Sequence, residues 1–162
     1  MTIYVDMDGV IADLFTEIAK ENDVSHWKEI PSSDRAFEDI KGTDFFGRIP
    51  KFSSSDDLIA FIDDVTDGKW CILSAPLGGD RDNCIFWKKY WLDKQGYNPM
   101  ESFFTHRKEK YAVNADGTPN ILIDDRLINI DRWIKKGGLG IRYQADEDSL
   151  EELFVKVKVI LE

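Results

Sequence analysis

A chain of 162 residues is long enough to bury one hydrophobic core and too short for two full domains. Its 31 acidic against 21 basic side chains leave a net charge of −10, which argues against broad attraction to nucleic acid or an anionic membrane surface but leaves room for a locally basic pocket. No signal-peptide pattern opens the chain and no apolar run approaches a membrane span, while Cys71 and Cys84 lack metal-type spacing, so a cytoplasmic protein with two reduced, partly buried thiols is expected.

The first element is the apolar run Thr2 to Asp6, TIYVD, which reads as a buried parallel strand. It runs into Asp6 and Asp8, two carboxylates that would point the same way from extended chain. Such a pair is tolerable if a cation lies between them, if one carboxyl stays protonated, or if the strand has ended and Gly9 turns the chain aside. From about Asp13 to Ser55 no strand is legible; scattered aromatics and the turn-rich pieces IPSSD and FSSSDD fit a loosely helical insertion, either a cap over the strand ends or an irregular connection.

Beyond the insertion, DDLIAFIDDVTDG has apolar residues at helical spacing and a stopping Gly68. KWCILS (Lys69 to Ser74) reads as the next buried strand, and DNCIFWKKYWLDKQG as a helix ended by Gly96. SFFT (Ser102 to Thr105), NILIDD (Asn120 to Asp125) and LGIRY (Leu139 to Tyr143) supply further strands, with the helix RLINIDRWIKKGG between the last two. Strands alternating with helices predict an α/β fold with a mostly parallel sheet, in which ligands bind beyond the carboxyl ends of the strands.

Asp6, Asp8, Ser74, Lys110, Asp124 and Asp125 lie mostly at such strand ends. Several carboxylates at one sheet edge call for a hard cation with oxygen ligands, and Mg²⁺ suits them better than zinc. A strand-ending hydroxyl and a lysine could hold an anion against that metal, most naturally a phosphate, with backbone N–H groups around Asp8 and Gly9 adding to the grip. A carboxylate can also attack phosphorus, which makes Asp6 the candidate nucleophile and Asp8 the candidate acid and base for the leaving oxygen and the attacking water.

The ordered set VDMDGV, ILSAP, Lys110 and LIDDR resembles the four motifs of the haloacid dehalogenase (HAD) superfamily, over nearly the whole chain. DMDGVIAD, FFGRIP, SAPL and ILIDD are closer to its 5'(3')-deoxyribonucleotidases, including short bacterial and phage members. The resemblance implies a Rossmann-like core, residues 1–12 and 56–162, with a small helical cap at 13–55. It implies a Mg²⁺-dependent hydrolase that removes phosphate from (deoxy)ribonucleoside monophosphates through an aspartyl-phosphate. Asp6 would be nucleophile and metal ligand, and Asp8 acid/base and ligand through its backbone carbonyl. Asp125 would be the third ligand with Asp124 beside it. Ser74, the adjoining Ala75 and a lysine would bind phosphate; RKEKYAV offers Lys108 and Lys110, and KYAV favours Lys110. Phe45 and Phe46 would line the nucleoside pocket. The chain departs from the animal enzymes in its shorter cap, in Leu14 (beside Phe15) at a pocket-aromatic position, and in the longer link NADGTPN.

Other readings stand beside these. IDDR also resembles polynucleotide 3'-phosphatases, which the acidic charge disfavours, and a non-catalytic phosphate- or partner-binding module would keep the same fold. No membrane or stable nucleic-acid partner is expected, and a homodimer stays open. Trp87, Trp91 and Trp133 fit core packing; Trp27 and Phe37 fit either base contact or packing within the cap. His26 and His106 read as bystanders, and Arg126 as an ion-pair partner of the acids or a phosphate contact.

Overall fold

Alternation along the central strands sorts their side chains onto two faces of one sheet. In β1 (Ile3–Val5), Ile3 and Val5 join a large apolar cluster while Tyr4 points the opposite way. In β2 (Trp70–Ser74) the split is Trp70 and Ile72 against Cys71 and Leu73, and in β4 (Ile121–Asp124) it is Ile121 and Ile123 against Leu122. Both faces are therefore covered, as the continuous apolar runs require. The computed structural model describes residues 1–162.

With β3 (Glu101–Phe104) and β5 (Leu139–Arg142), the sheet has five strands in the order β3-β2-β1-β4-β5, every pairing parallel. The expected mostly parallel α/β sheet is thus wholly parallel. β1 sits at its centre, where the strand order reverses, so Asp6 leaves the middle of the edge at which such folds bind ligands.

The larger face is covered by α4 (Ser55–Thr66), α5 (Arg81–Gln95) and α7 (Leu150–Leu161), through Leu58, Ile62, Trp91, Leu92, Leu153 and Val157. On the other face α6 (Leu127–Lys135) buries Ile130 and Trp133 against Tyr4 and Leu122. α7 lay outside the sequence reading, although its buried Leu153 and Val157 are spaced for one helical face and Ser149 caps it by accepting from Glu152 N.

The 13–55 segment is helical: α1 (Leu14–Glu21), a 3₁₀ turn at Trp27–Glu29, α2 (Ser33–Asp39) and α3 (Phe45–Arg48). Its entry and exit segments meet in a clasp, where Asp13 N donates to Pro50 O (2.8 Å), Phe52 N donates to Ile11 O (3.3 Å) and Ala12 bridges Lys51. α3 is held to α5: Trp91 Nε1 donates to Ile49 O (2.6 Å), Asn83 Nδ2 donates to Thr43 O (2.9 Å), and Gly47 lies against the Trp87 ring, where a Cβ would overlap it. Arg48 then ties α3 back to Glu17 and Glu21 of α1.

Candidate active site

β1 ends at Val5, but Asp6 N still donates to Ile123 O (2.9 Å), which keeps Asp6 in line with the sheet. The chain then turns at Gly9, with φ +80°, and the carbonyl of Met7 accepts from Val10, Ile11 and Ala12 N. Side chains rarely tolerate that φ, and here there is a second reason for glycine: a Cβ at Gly9 would stand 2.5 Å from Asp125 Oδ2. The tight turn thus brings the β1 loop against the end of β4.

Around that junction Asp6, Asp124 and Asp125 can each place one carboxylate oxygen within 4.8 Å of the others. Lys108 Nζ lies 2.9 Å from Asp6 Oδ2 and 2.6 Å from Asp124 Oδ2. Asp124 is oriented further by Arg126 N (2.9 Å) and by Asn129 Nδ2, which donates to both of its oxygens at 3.0 Å.

One ammonium among three acids leaves negative charge uncompensated. Burial first, and then the charges of Asp6, Asp124 and Asp8, push the Asp125 carboxyl up to about 8. Burial and then Asp6 also raise Asp124, and Lys108 is raised because the two acids beside it outweigh the cost of burying its charge. An all-oxygen donor set with excess negative charge fits a hard divalent cation and gives no hold for a thiophilic one. The carboxylates present therefore fit a magnesium-type ion.

Asp8 stands outside that trio. Its Oδ2 accepts from Lys88 Nζ at 2.6 Å, and its side chain is a quarter exposed to the cavity. Burial raises its carboxyl, Lys88 pulls it back, and Asp6 adds to the rise.

The cavity, of about 480 Å³, runs from Asp6, Asp8, Lys108 and Asp125 up to the helical segment, where Leu14, Phe15, Trp27, Phe37 and Phe46 wall it. The Phe15 and Trp27 rings are stacked, with centroids 5.2 Å apart. The volume and the lining suit a small organic ligand with an apolar or aromatic body and a polar end among the acids and Lys108.

Four expectations change on this geometry. The lysine among the acids is Lys108; Lys110 is exposed and makes no ion pair. The reason is the 3₁₀ turn Lys108–Tyr111: three residues per turn put Lys108 and Tyr111 on one face, where Tyr111 packs on Tyr4 and Phe103, and turn Lys110 away. Of the phenylalanine pair only Phe46 lines the cavity; Phe45 is fully buried beneath it, with the Arg48 guanidinium over its ring. Ser74 is buried against Lys88, and the cavity wall at that strand end is Ala75 and Pro76. His106, read as a bystander, lines the cavity, as does Arg126, which pairs with no carboxylate.

Two residues were missed. Lys88 lies on the buried stripe Cys84, Lys88, Trp91, Leu92 of α5, and a lone lysine on an apolar helical face was a legible signal. Asn129 left no comparable mark, since its bond to Asp124 depends on how α6 docks.

No protein-family model and no curated protein matches the chain. Among solved structures, a HAD-family enzyme from Bacteroides thetaiotaomicron, a mutant crystallised with magnesium and inorganic phosphate, aligns with a TM-score of 0.56. The alignment covers 93% of this chain and 97% of that one at 14% identity. The two share a fold. An uncharacterized protein from Corynebacterium glutamicum aligns over 99% of this chain and 93% of its own at 14% identity, with a TM-score of 0.49.

Proposed function

We propose that the chain is a Mg²⁺-dependent phosphomonoesterase of the haloacid dehalogenase type, with (deoxy)ribonucleoside monophosphates as its substrate class. The observation that carries this reading is the meeting of Asp6, Asp124 and Asp125 with Lys108 at the sheet edge, one turn from an Asp8 that faces the same cavity.

Asp6 and Asp125 would hold the cation, with Asp124 in support and Asp8 contributing its backbone carbonyl, as the family resemblance implies. When bound, the ion draws charge from the phosphoryl oxygens and favours in-line attack. Lys108 holds the Asp6 carboxylate in place and offers its remaining N–H to a phosphoryl oxygen. An oxygen of Asp6 bonds to phosphorus while the bond to the ester oxygen breaks, and Asp8 gives that oxygen a proton. Asp8 then takes a proton from the water that attacks the phosphoryl-Asp6, which releases inorganic phosphate and restores the carboxylate. The aromatic walls from Phe15, Trp27, Phe37 and Phe46 supply the surface for a nucleobase.

The test is phosphate release from deoxy- and ribonucleoside 5'- and 3'-monophosphates, a 3'-phosphorylated oligonucleotide and sugar phosphates, with Mg²⁺ and with chelator. Turnover of the nucleotides that disappears with chelator and in Asp6→Asn is the expected result. Turnover of the oligonucleotide alone, or activity that survives Asp6→Asn, overturns it.

A further inference from the structure

The most unusual side chain outside the acidic trio is Lys88, an ammonium in the middle of α5 with 0% exposure. Burying such a charge costs several kcal/mol unless it is paired and all its donors are used. Lys88 meets that condition: its three N–H donors face three acceptors, Asp8 Oδ2 at 2.6 Å, Ser74 Oγ at 2.8 Å and Ala75 O at 3.1 Å. Nζ also stands 5.1 Å from the Phe46 ring centroid. Asp8 is its one carboxylate partner, whereas Lys108 is shared between Asp6 and Asp124.

We infer that Lys88 is a positioning residue for proton transfer to the leaving group, acting through Asp8; the inference rests on the phosphomonoesterase reading above. An ammonium donates hydrogen bonds and cannot accept them, so Asp8 Oδ2, facing Lys88, is not where a transferable proton sits. The proton belongs on Oδ1, which has no protein partner in a side chain that lines the cavity. Lys88 thereby selects the oxygen and fixes the rotation of the carboxyl group. The same ammonium occupies a lone pair of Ser74 Oγ and so turns the serine's hydrogen away from α5. The two buried lysines divide the site: Lys108 serves attack at phosphorus, and Lys88 serves departure of the alcohol.

A purely structural lysine and a positioning lysine differ in how their loss depends on the leaving group. An alkoxide must be protonated as it departs, whereas p-nitrophenolate leaves without help. The experiment compares kcat/KM of wild type and Lys88→Met with Mg²⁺, on a nucleoside monophosphate and on p-nitrophenyl phosphate, after thermal melts have verified folding. The expected loss is about 10²-fold or more on the nucleotide and under about 10-fold on the aryl ester, the span of general acid catalysis. Equal losses on both esters, or none on either, overturn the role of Lys88 while leaving the phosphatase reading intact. A wild type that turns over neither ester overturns the reading and this inference with it. If Lys88→Met does not fold, Lys88→Arg takes its place: it keeps the charge but cannot reproduce three single-donor contacts, so the same split is expected and equal losses again overturn it.

Discussion

Lys108 and Lys110 are two residues apart, yet Lys108 is buried between Asp6 and Asp124 while Lys110 is exposed. The 3₁₀ turn Lys108–Tyr111, pinned where Asn120 N donates to Ala112 O, decides which of the two turns inward. Lys108→Met should therefore lower phosphate release by about 10²-fold or more, the order seen when one preorganised donor is removed, while Lys110→Met stays within about twofold of wild type. Gly9 offers a second test at this scale. The turn itself was legible in DMDG, but the need for an absent Cβ was not, because Asp125 comes against Gly9 only once β4 is docked. Gly9→Ala should displace the Asp125 carboxylate and weaken Mg²⁺ binding, measured by titration calorimetry, by at least tenfold. Unchanged affinity would mean that Asp125 is not a ligand.

The five strands and the three helices read from periodicity all form, within a residue or two of their expected ends. Their patterns are local and strong: continuous apolar runs for strands buried on both sides, and Gly68 and Gly96 where helices stop. The inserted segment was harder, since its short helices are fixed by packing more than by their own sequence. α3 shows this best: four residues long, it cannot be stable alone and is held by Trp87, Trp91 and Asn83 of α5. Alanine at Gly47 improves helix propensity, yet its methyl group would overlap the Trp87 ring. Gly47→Ala should destabilise the protein by about 1–3 kcal/mol, the usual cost of overpacking, in urea denaturation followed by tryptophan fluorescence. A neutral or stabilising result would mean that α3 can lift from α5 freely.

Across the whole molecule, the acidic excess in the sequence becomes a specific liability at one point. A carboxyl raised from 3.8 to about 8 binds its proton more firmly in the folded than in the unfolded chain between those values. Stability from Asp125 is thus complete below about pH 4 and is lost as pH rises through about 8. In metal-free protein the melting temperature should fall from pH 6 to pH 8.5 more steeply in wild type than in Asp125→Asn, and Mg²⁺ should raise it more at pH 8.5 than at pH 6. Parallel slopes in the two proteins would show that Asp125 is not the charge responsible. The sheet order has a further consequence, for synthesis in the cell. β1 emerges first from the ribosome, but its two neighbours are β2 and β4, so the strand carrying Asp6 stays unpaired on one side until residues beyond 120 have been made. A nascent chain halted just before β4 would hold Asp6, Asp8 and Lys108 but neither Asp124 nor Asp125. The acidic trio, and with it any hold on a divalent cation, is therefore completed only when the end of β4 has been made and docked beside β1.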